Sequence, residues 1–538
     1  MNLINDPWIP IQRKSGAKAL IAPWQLTEAD DPVIALNAPR PDFNGALLQF
    51  LIGLLQTAAT PASHDQWLDW LEEPPTPEVL KACFEPYADA FALQGEKGSF
   101  MQDFEPLENG AVNSIAEMLI DTSGGGTHFV KAGSMNYVCS CCAATALFTL
   151  QTNAPAGGRG HLTSIRGGGP MTTLVILDAA SDLANDLWHS IWLNVIDLPL
   201  FKTLSGDTSK NETGDIFPWL ALTRFGDQLT TTPVDAHPLQ MYWGMPRRLK
   251  ILWDRLSSGH CDLCGSFSDS LVSHYRTRPY GVNYDSAWQH PLSPYSISAQ
   301  DGALIALHPQ PGVMTYQHWV GITDGDDSVF IALVAKRYRV LAERWGEQFR
   351  LYAFGYDMDK MKARCWYEAT FPLFFIADEI KLDFVKRVQS LTSATEEFSR
   401  IVTNCVKDAW FDGDQSKNKE KKSNYFKSSP AVSIKIGFYQ HTEIAFYQAA
   451  KALQTKLVDG TDQTVLHSWH ATLRKAAFDL FDYWAARGDI AQANPRRVAD
   501  ARSKLIALCY SKKIKEALQL PINEKKASKT SKSKKEAA

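Results

Sequence analysis

The sequence predicts an α+β protein: a large mixed N-terminal domain built around a four-thiolate zinc site, followed by a C-terminal four-helix bundle. Three observations carry this. Two Cys-x-x-Cys steps, Cys139 with Cys142 and Cys261 with Cys264, supply four soft ligands from distant stretches. Short apolar runs broken by glycine and proline fill the chain up to about Phe374. Beyond it the glycines thin out and a 3.6-residue periodicity takes over. With 538 residues the chain exceeds a single core, and the expected division is 1–372, 373–520 and a tail, 521–538.

In chain order, Trp8-Ile9-Pro10-Ile11 followed by Ala19-Leu20-Ile21 predicts a small hairpin. Leu47, Leu48, Leu51 and Leu55 place a helical stripe across residues 42–58. Thr76-Pro77-Glu78 reads as an N-cap with proline at the first helical position, opening a helix toward Phe91. Three glycine tracts then crowd together: Ser123 to Gly126, Ala154 to Gly160 and Arg166 to Pro170. They surround a short helix through Ala146-Leu147-Phe148 and precede a strand at Thr172 to Leu177. Single glycine tracts are ordinary turn chemistry, but several long ones within a compact domain point to function. In the last part, helical segments are expected at about 376–411, 441–457, 462–487 and 496–518. The third repeats Leu466, Trp469, Leu473, Ala476, Leu480 and Trp484 every three or four residues, one buried stripe. The tail from Asn523 holds six lysines, two glutamates and no bulky apolar residue, a composition that cannot build a core.

A two-residue gap lets both thiolates of a pair face one ion from a tight turn, and two such turns close a tetrahedral sulfur shell that favours structural Zn2+. Cys141 is the alternative to Cys142 as the ligand. A redox role needs no second pair, and the bland reading is four ordinary buried thiols. The gap between the pairs far exceeds that of a compact zinc ribbon, so the ion would staple distant segments together. A closed four-thiolate shell leaves no open position for catalysis. His467 and His470 share a helical segment without an evident carboxylate set. No enzymatic activity is therefore expected; a metal-dependent nuclease and a generic zinc-containing assembly factor are the alternatives.

The formal net charge is −4, from 55 basic and 59 acidic residues, which excludes a generally basic nucleic-acid binder. Any such binding must come from local patches: Arg247, Arg248 and Lys250 follow Tyr242-Trp243, and Arg276 and Arg278 follow the second cysteine pair. Nine cysteines without a disulfide framework fit a reducing cytoplasm. The N-terminus lacks the pattern of a signal peptide, and the apolar run Ala46 to Leu55 is too short to span a bilayer. Sixteen tryptophans are many, enough for some to anchor interfaces.

The opening Met1-Asn2-Leu3-Ile4-Asn5-Asp6-Pro7-Trp8-Ile9-Pro10 resembles the start of the large (CasA) subunit of the type I-E CRISPR surveillance complex, Cascade. The likeness continues through His128-Phe129-Val130, both cysteine pairs, Asn153-Ala154-Pro155, Arg166-Gly167-Gly168, Met241 to Arg248 and Lys360 to Glu368. It implies a non-catalytic, prokaryotic cytoplasmic subunit near the 5′ handle of the CRISPR RNA. Such a subunit reads the protospacer-adjacent motif (PAM) in double-stranded target DNA, starts strand separation and helps recruit a nuclease-helicase. RNA pairing reads the rest of the target, as in other RNA-guided effectors. The resemblance places Gly157, Gly158 and Gly160 in a glycine loop that approaches the minor groove, and Arg278, with Arg276 as the close alternative, on a basic finger. It places Asp359, Lys360 and Met361 at a wedge under the first base pair. Where the best-known wedge has an amide, this sequence has none, so Lys360 or Met361 takes its place. Phe129, Val130 and Lys131 match a loop that contacts the RNA handle and the neighbouring backbone subunit.

Overall fold

The computed structural model describes all residues except 123–134, 159, 180, 182–185, 286, 310–313, 326–328, 360–361, 412–429, 489–493 and 522–538. The sequence-derived sites at Phe129, Val130, Lys131, Lys360 and Met361, and the lysine-rich tail, lie outside the described residues. The chain forms two compact units: Met1–Met314 with Gly321–Phe375, and Thr315–Val320 with the residues from Ile376 onward. The short segment Thr315–Val320 belongs with the C-terminal helices, an assignment no local sequence pattern predicts.

Among the described residues, the first unit mixes helices with five small sheets. Strands β1 (Ile9–Arg13) and β2 (Lys18–Ile21) form the expected hairpin, and β3 (Val33–Leu36) joins its free side. Strand β4 (Ala111–Ser114) and β6 (Arg248–Ile251) flank β9 (His274–Arg278), while β7 (Ser257–His260) and β8 (Phe267–Leu271) form a separate hairpin. Strand β5 (Thr172–Leu177) pairs with β13 (Phe349–Asp359), which turns back into β14 (Lys362–Pro372). Strands β10 (Tyr295–Ile297), β11 (Leu304–Ala306) and β12 (Val329–Phe330) complete the set.

The helix Pro41–Ala58 begins with proline at its first turn and is buried on nearly every face, rather than along the single expected stripe. Phe50 lies at the centre of its core. The rings of Trp8, Phe91, Phe100, Phe148 and Trp243 meet it edge-on, with centroids 5.1 to 5.9 Å away. Trp67, Trp188, Trp192 and Trp219 are also fully buried, so many of the tryptophans are core and not interface. The helix opened by Pro77 ends at Phe84, short of Phe91, and continues as a 3-10 turn over Glu85–Phe91, because Pro86 cannot donate to a continuing ladder.

In the second unit, the helices Asp378–Trp410, Pro430–Val458, Gln463–Ala485 and Pro495–Leu508 correspond to the four expected segments. The second starts about three turns earlier than its apolar pattern, at Pro430, and the last is broken before a short helix, Lys512–Ala517. Asp378–Trp410 packs against each of the other three long helices. Of the predicted stripe, Leu466, Trp469, Leu473, Ala476 and Leu480 are buried, and the Trp469 indole donates to Leu391 O at 3.1 Å.

Truncation of Phe50, which is fully buried among five aromatic rings, should lower the stability of the first unit by about 3–5 kcal/mol in Phe50→Ala. Denaturant melts followed by tryptophan fluorescence measure it.

Candidate metal centre and nucleic-acid interface

Cys139 caps the helix Ser140–Asn153 at its N-terminus, and Cys142 lies in its first turn. Cys261 and Cys264 lie in the turn between β7 and β8, where Cys261 N donates to Ser266 O and Gly265 N to Cys261 O, both at 2.9 Å. The positive φ of Gly265, +73°, lets this turn close. Three contacts bring the two stretches together. Val138 and Val272 exchange backbone hydrogen bonds at 3.0 and 2.9 Å. Asp262 N donates to Tyr137 O at 2.9 Å. The Asp262 carboxylate in turn accepts from the amides of Asn136 and Tyr137 at 2.7 and 2.9 Å.

The result gathers the Sγ atoms of Cys139, Cys142, Cys261 and Cys264 within 4.8 Å of one another, with Cys139 and Cys264 3.7 Å apart. A tetrahedral ion with metal–sulfur bonds of about 2.3 Å requires sulfur–sulfur edges of about 3.8 Å, so these four fit such an ion. Cys141 instead points its sulfur toward Met1 Sδ, 3.9 Å away. Crowding makes the thiols unequal: the hydrogen bond with Cys142 pulls the Cys264 thiol down to about 6, while sharing with Cys139, Cys261 and Cys264 pushes the Cys142 thiol far up. His470, by contrast, is engaged with the Cys509 carbonyl through Nε2 at 2.9 Å.

The far end of the same helix leads into the glycine loop. Gly157 N donates to His161 O and His161 N to Gly158 O, each at 3.1 Å, and a buried Arg247 guanidinium holds Pro155 O from behind. Gly158 and Gly160 have φ of +87° and +78°, which side chains rarely tolerate. The three glycines differ in surroundings. A Cβ at Gly160 would stand 2.4 Å from Pro279 Cβ and one at Gly157 2.6 Å from His161 Cβ, whereas one at Gly158 would meet nothing within 4 Å.

Gly160 O accepts from Tyr280 N at 2.7 Å, which ties the loop to the end of β9. Arg278 is the last residue of that strand and faces Arg248 across the ladder, as Arg276 faces Lys250. Side chains alternate along a strand, so these four cations share one face. Arg248 is neutralised by Asp103 at 2.6 Å and by Glu105. Arg278 has no carboxylate partner among the described residues. It lines a cleft of about 610 Å³ together with His161, Tyr280, Phe225 and Gln228. Arg276 does not line it, and its Nε is buried without a partner. Burial, and then the charge of Arg247, keep His161 neutral. The sequence reading missed Tyr280, Phe225 and Gln228. Tyr280 has φ +65°, a strained conformation for an aromatic residue, and only the preceding Pro279 hinted at an irregular strand end.

The β13–β14 hairpin pairs Asp359 with Lys362, and Asp359 is exposed. Its base is clamped. Arg364 grips the buried Asp357 at 2.6 and 3.1 Å, and Tyr356 Oη donates to Asp42 at 2.5 Å. Asp42 is also held by Arg40 at 2.9 and 3.1 Å, and Arg40 reaches on to Asp121 at 2.9 Å. Gly169 packs against this base, since a Cβ there would stand 2.8 Å from Met358. The third glycine tract thus serves close packing.

A family profile described as CRISPR-associated protein Cse1 matches residues 2–480. The chain is similar in fold to Thermus thermophilus CasA (Cse1), at 16% identity and a TM-score of 0.66, covering 94% of this chain and 99% of that one. It is similar to Thermobifida fusca Cse1 at 13% identity and a TM-score of 0.67, covering 96% and 98%. A chain of a CRISPR RNA-guided surveillance complex matches at 15% identity and a TM-score of 0.59, covering 95% and 99%.

Two outcomes are expected. Cys261→Ser should lower bound zinc, read by elemental analysis, and lower the melting temperature; one zinc per chain with an unshifted melt would remove Cys261 from the ligand set. Gly158→Ala should cost about 1–2 kcal/mol, from backbone handedness alone, and Gly160→Ala more, because its Cβ has no room beside Pro279. Paired thermal melts compare them.

Proposed function

The chain belongs to the CRISPR-associated Cse1 family, and from that membership we propose that it is the non-catalytic large subunit of a type I-E Cascade complex in a prokaryotic cytoplasm. In this role it recognises the PAM in double-stranded DNA, begins duplex unwinding for R-loop formation and helps recruit the effector nuclease-helicase. Residues 1–372 carry the reading elements, and 373–520 act as the family's four-helix bundle. Zn2+ held by Cys139, Cys142, Cys261 and Cys264 is structural.

The observation that carries the reading is the hydrogen bond from Tyr280 N to Gly160 O. It ties the glycine loop to the strand end that carries Arg278, and His161, which follows the loop, lines the same cleft as Arg278, although the two come from distant stretches. Gly158 is open to the approach of a base edge, and the Arg278 guanidinium suits a narrow minor groove. Readout on that side of DNA is degenerate, so several PAM sequences should be accepted. The wedge falls to Asp359, Lys360 and Met361 at the clamped hairpin, with an apolar methionine able to unstack a base step. Phe129, Val130 and Lys131 contact the CRISPR RNA 5′ handle and the backbone subunit. The remaining Cascade subunits supply the positive charge that this chain, at −4, lacks.

Purified with the products of its neighbouring genes, the chain should co-elute with a small RNA; failure to join any RNA-bearing assembly would falsify the reading. Within that assembly, Gly158→Leu and Arg278→Ala should each weaken binding of a PAM-bearing duplex about tenfold or more without loss of subunit assembly. Arg276→Ala should change it little. A band-shift series with PAM-bearing and scrambled duplexes distinguishes these, and unchanged binding in both of the first two variants overturns the assignment.

A further inference from the structure

Arg166 is 5% exposed, and its charge has no carboxylate partner among the described residues. Its Nη1 donates to Thr172 Oγ1 and Ser293 Oγ, both at 3.0 Å, and its Nη2 donates to Gln49 Oε1. All three acceptors are neutral. Other buried arginines, Arg248 and Arg337, have Asp103 and Asp197 beside them. A buried cation without a counter-ion is costly.

Beside Arg166 lies a small cavity with room for about one water-sized body. Tyr242, 6% exposed, lines it, and its hydroxyl is buried without a partner. His290 lines it too. Its Nδ1 accepts from Leu292 N at 3.2 Å, which assigns the proton of the neutral ring to Nε2. The amide oxygens in the lining are already engaged, and the Thr152 and Tyr242 hydroxyls can each donate or accept. Gln49 Oε1 takes Arg166 and the Thr172 hydroxyl, and Gln151 Oε1 takes Arg247 N. A water here would find donors but few acceptors for its own protons, whereas an anion needs only donors.

We propose that this cavity binds one small monovalent anion, such as chloride, between the Tyr242 hydroxyl and the Arg166 guanidinium. Arg166 belongs to the turn Ser164–Gly167, so the bound anion would also steady the segment that follows the glycine loop.

The test compares thermal melts in sodium chloride and sodium gluconate at equal ionic strength and pH. Chloride should raise the melting temperature by about 2–4 °C in a saturable way. Tyr242→Phe should need about tenfold more chloride for half the effect, and Arg166→Gln should lose it. Should Arg166→Gln fail to fold, Tyr242→Phe and a bromide-soaked crystal decide, with an anomalous peak expected within hydrogen-bond distance of Tyr242 Oη. Identical melts in the two salts overturn the proposal, whether the cavity then holds a water or takes bromide as an adventitious ion only.

Discussion

The four sulfurs form a junction between two distant stretches of the first unit. Segments far apart in sequence meet there, and a link across so long a loop removes more unfolded-chain entropy than a local one. Four thiols this close cannot all ionise without a cation, because like charges at such a distance repel; a divalent ion turns the crowding into attraction. The junction also sets direction. Cys139 starts a helix of 14 residues, about 20 Å long. At its far end Asn153 O accepts from Gly169 N, and Gln151 holds both the amide and the carbonyl of Arg247. A rigid rod thus runs from the four-sulfur cluster to the root of the glycine loop.

From that root the loop is fixed at two depths. Gly157 and Gly160 are glycines because neighbouring atoms leave no room for a side chain, and they hold the loop against His161 and Pro279. Gly158 faces open space, so its lack of a side chain leaves the backbone approachable from outside. The charge is divided in a similar way. Of the two cations facing each other at the end of the β6–β9 ladder, Arg248 is locked into the protein by Asp103 and Glu105, while Arg278 keeps its charge for the cleft. Glu105 and Asp227 also line the cleft, so its charge is mixed, and Arg278 is a cation there without a carboxylate partner among the described residues.

Much of this was legible in the sequence because it depends on local pattern. Ligand spacing picked out Cys139, Cys142, Cys261 and Cys264; apolar periodicity found the C-terminal helices; short apolar runs found the first hairpin and β5. What escaped depends on contacts between distant residues. No spacing rule shows that Thr315–Val320 leaves the first unit, that β5 pairs with β13, or that Tyr280 is held in a left-handed conformation by Gly160. The choice between Arg276 and Arg278 rested on alignment alone, and which of them reaches the cleft follows from where the ladder ends. The tryptophans were misjudged for the opposite reason: composition counts them but does not see that Trp8 and Trp243 close around Phe50.

The base of the β13–β14 hairpin is held by charged side chains. An isolated pair of strands is marginally stable, so such anchors matter to its rigidity. Here Tyr356 and Asp357, on neighbouring positions and opposite faces of β13, are each tied to charged partners, Tyr356 through Asp42 to Arg40 and Asp357 to Arg364. Removing one partner of the largely buried Arg40–Asp42 pair costs about 3–5 kcal/mol, whereas Arg364 is 41% exposed and its pair with Asp357 contributes less. Arg40 also reaches Asp121, just before residues 123–134. The hairpin base and Asp121 are therefore tied to the same Arg40–Asp42 pair, and a displacement of one is resisted by the anchor of the other.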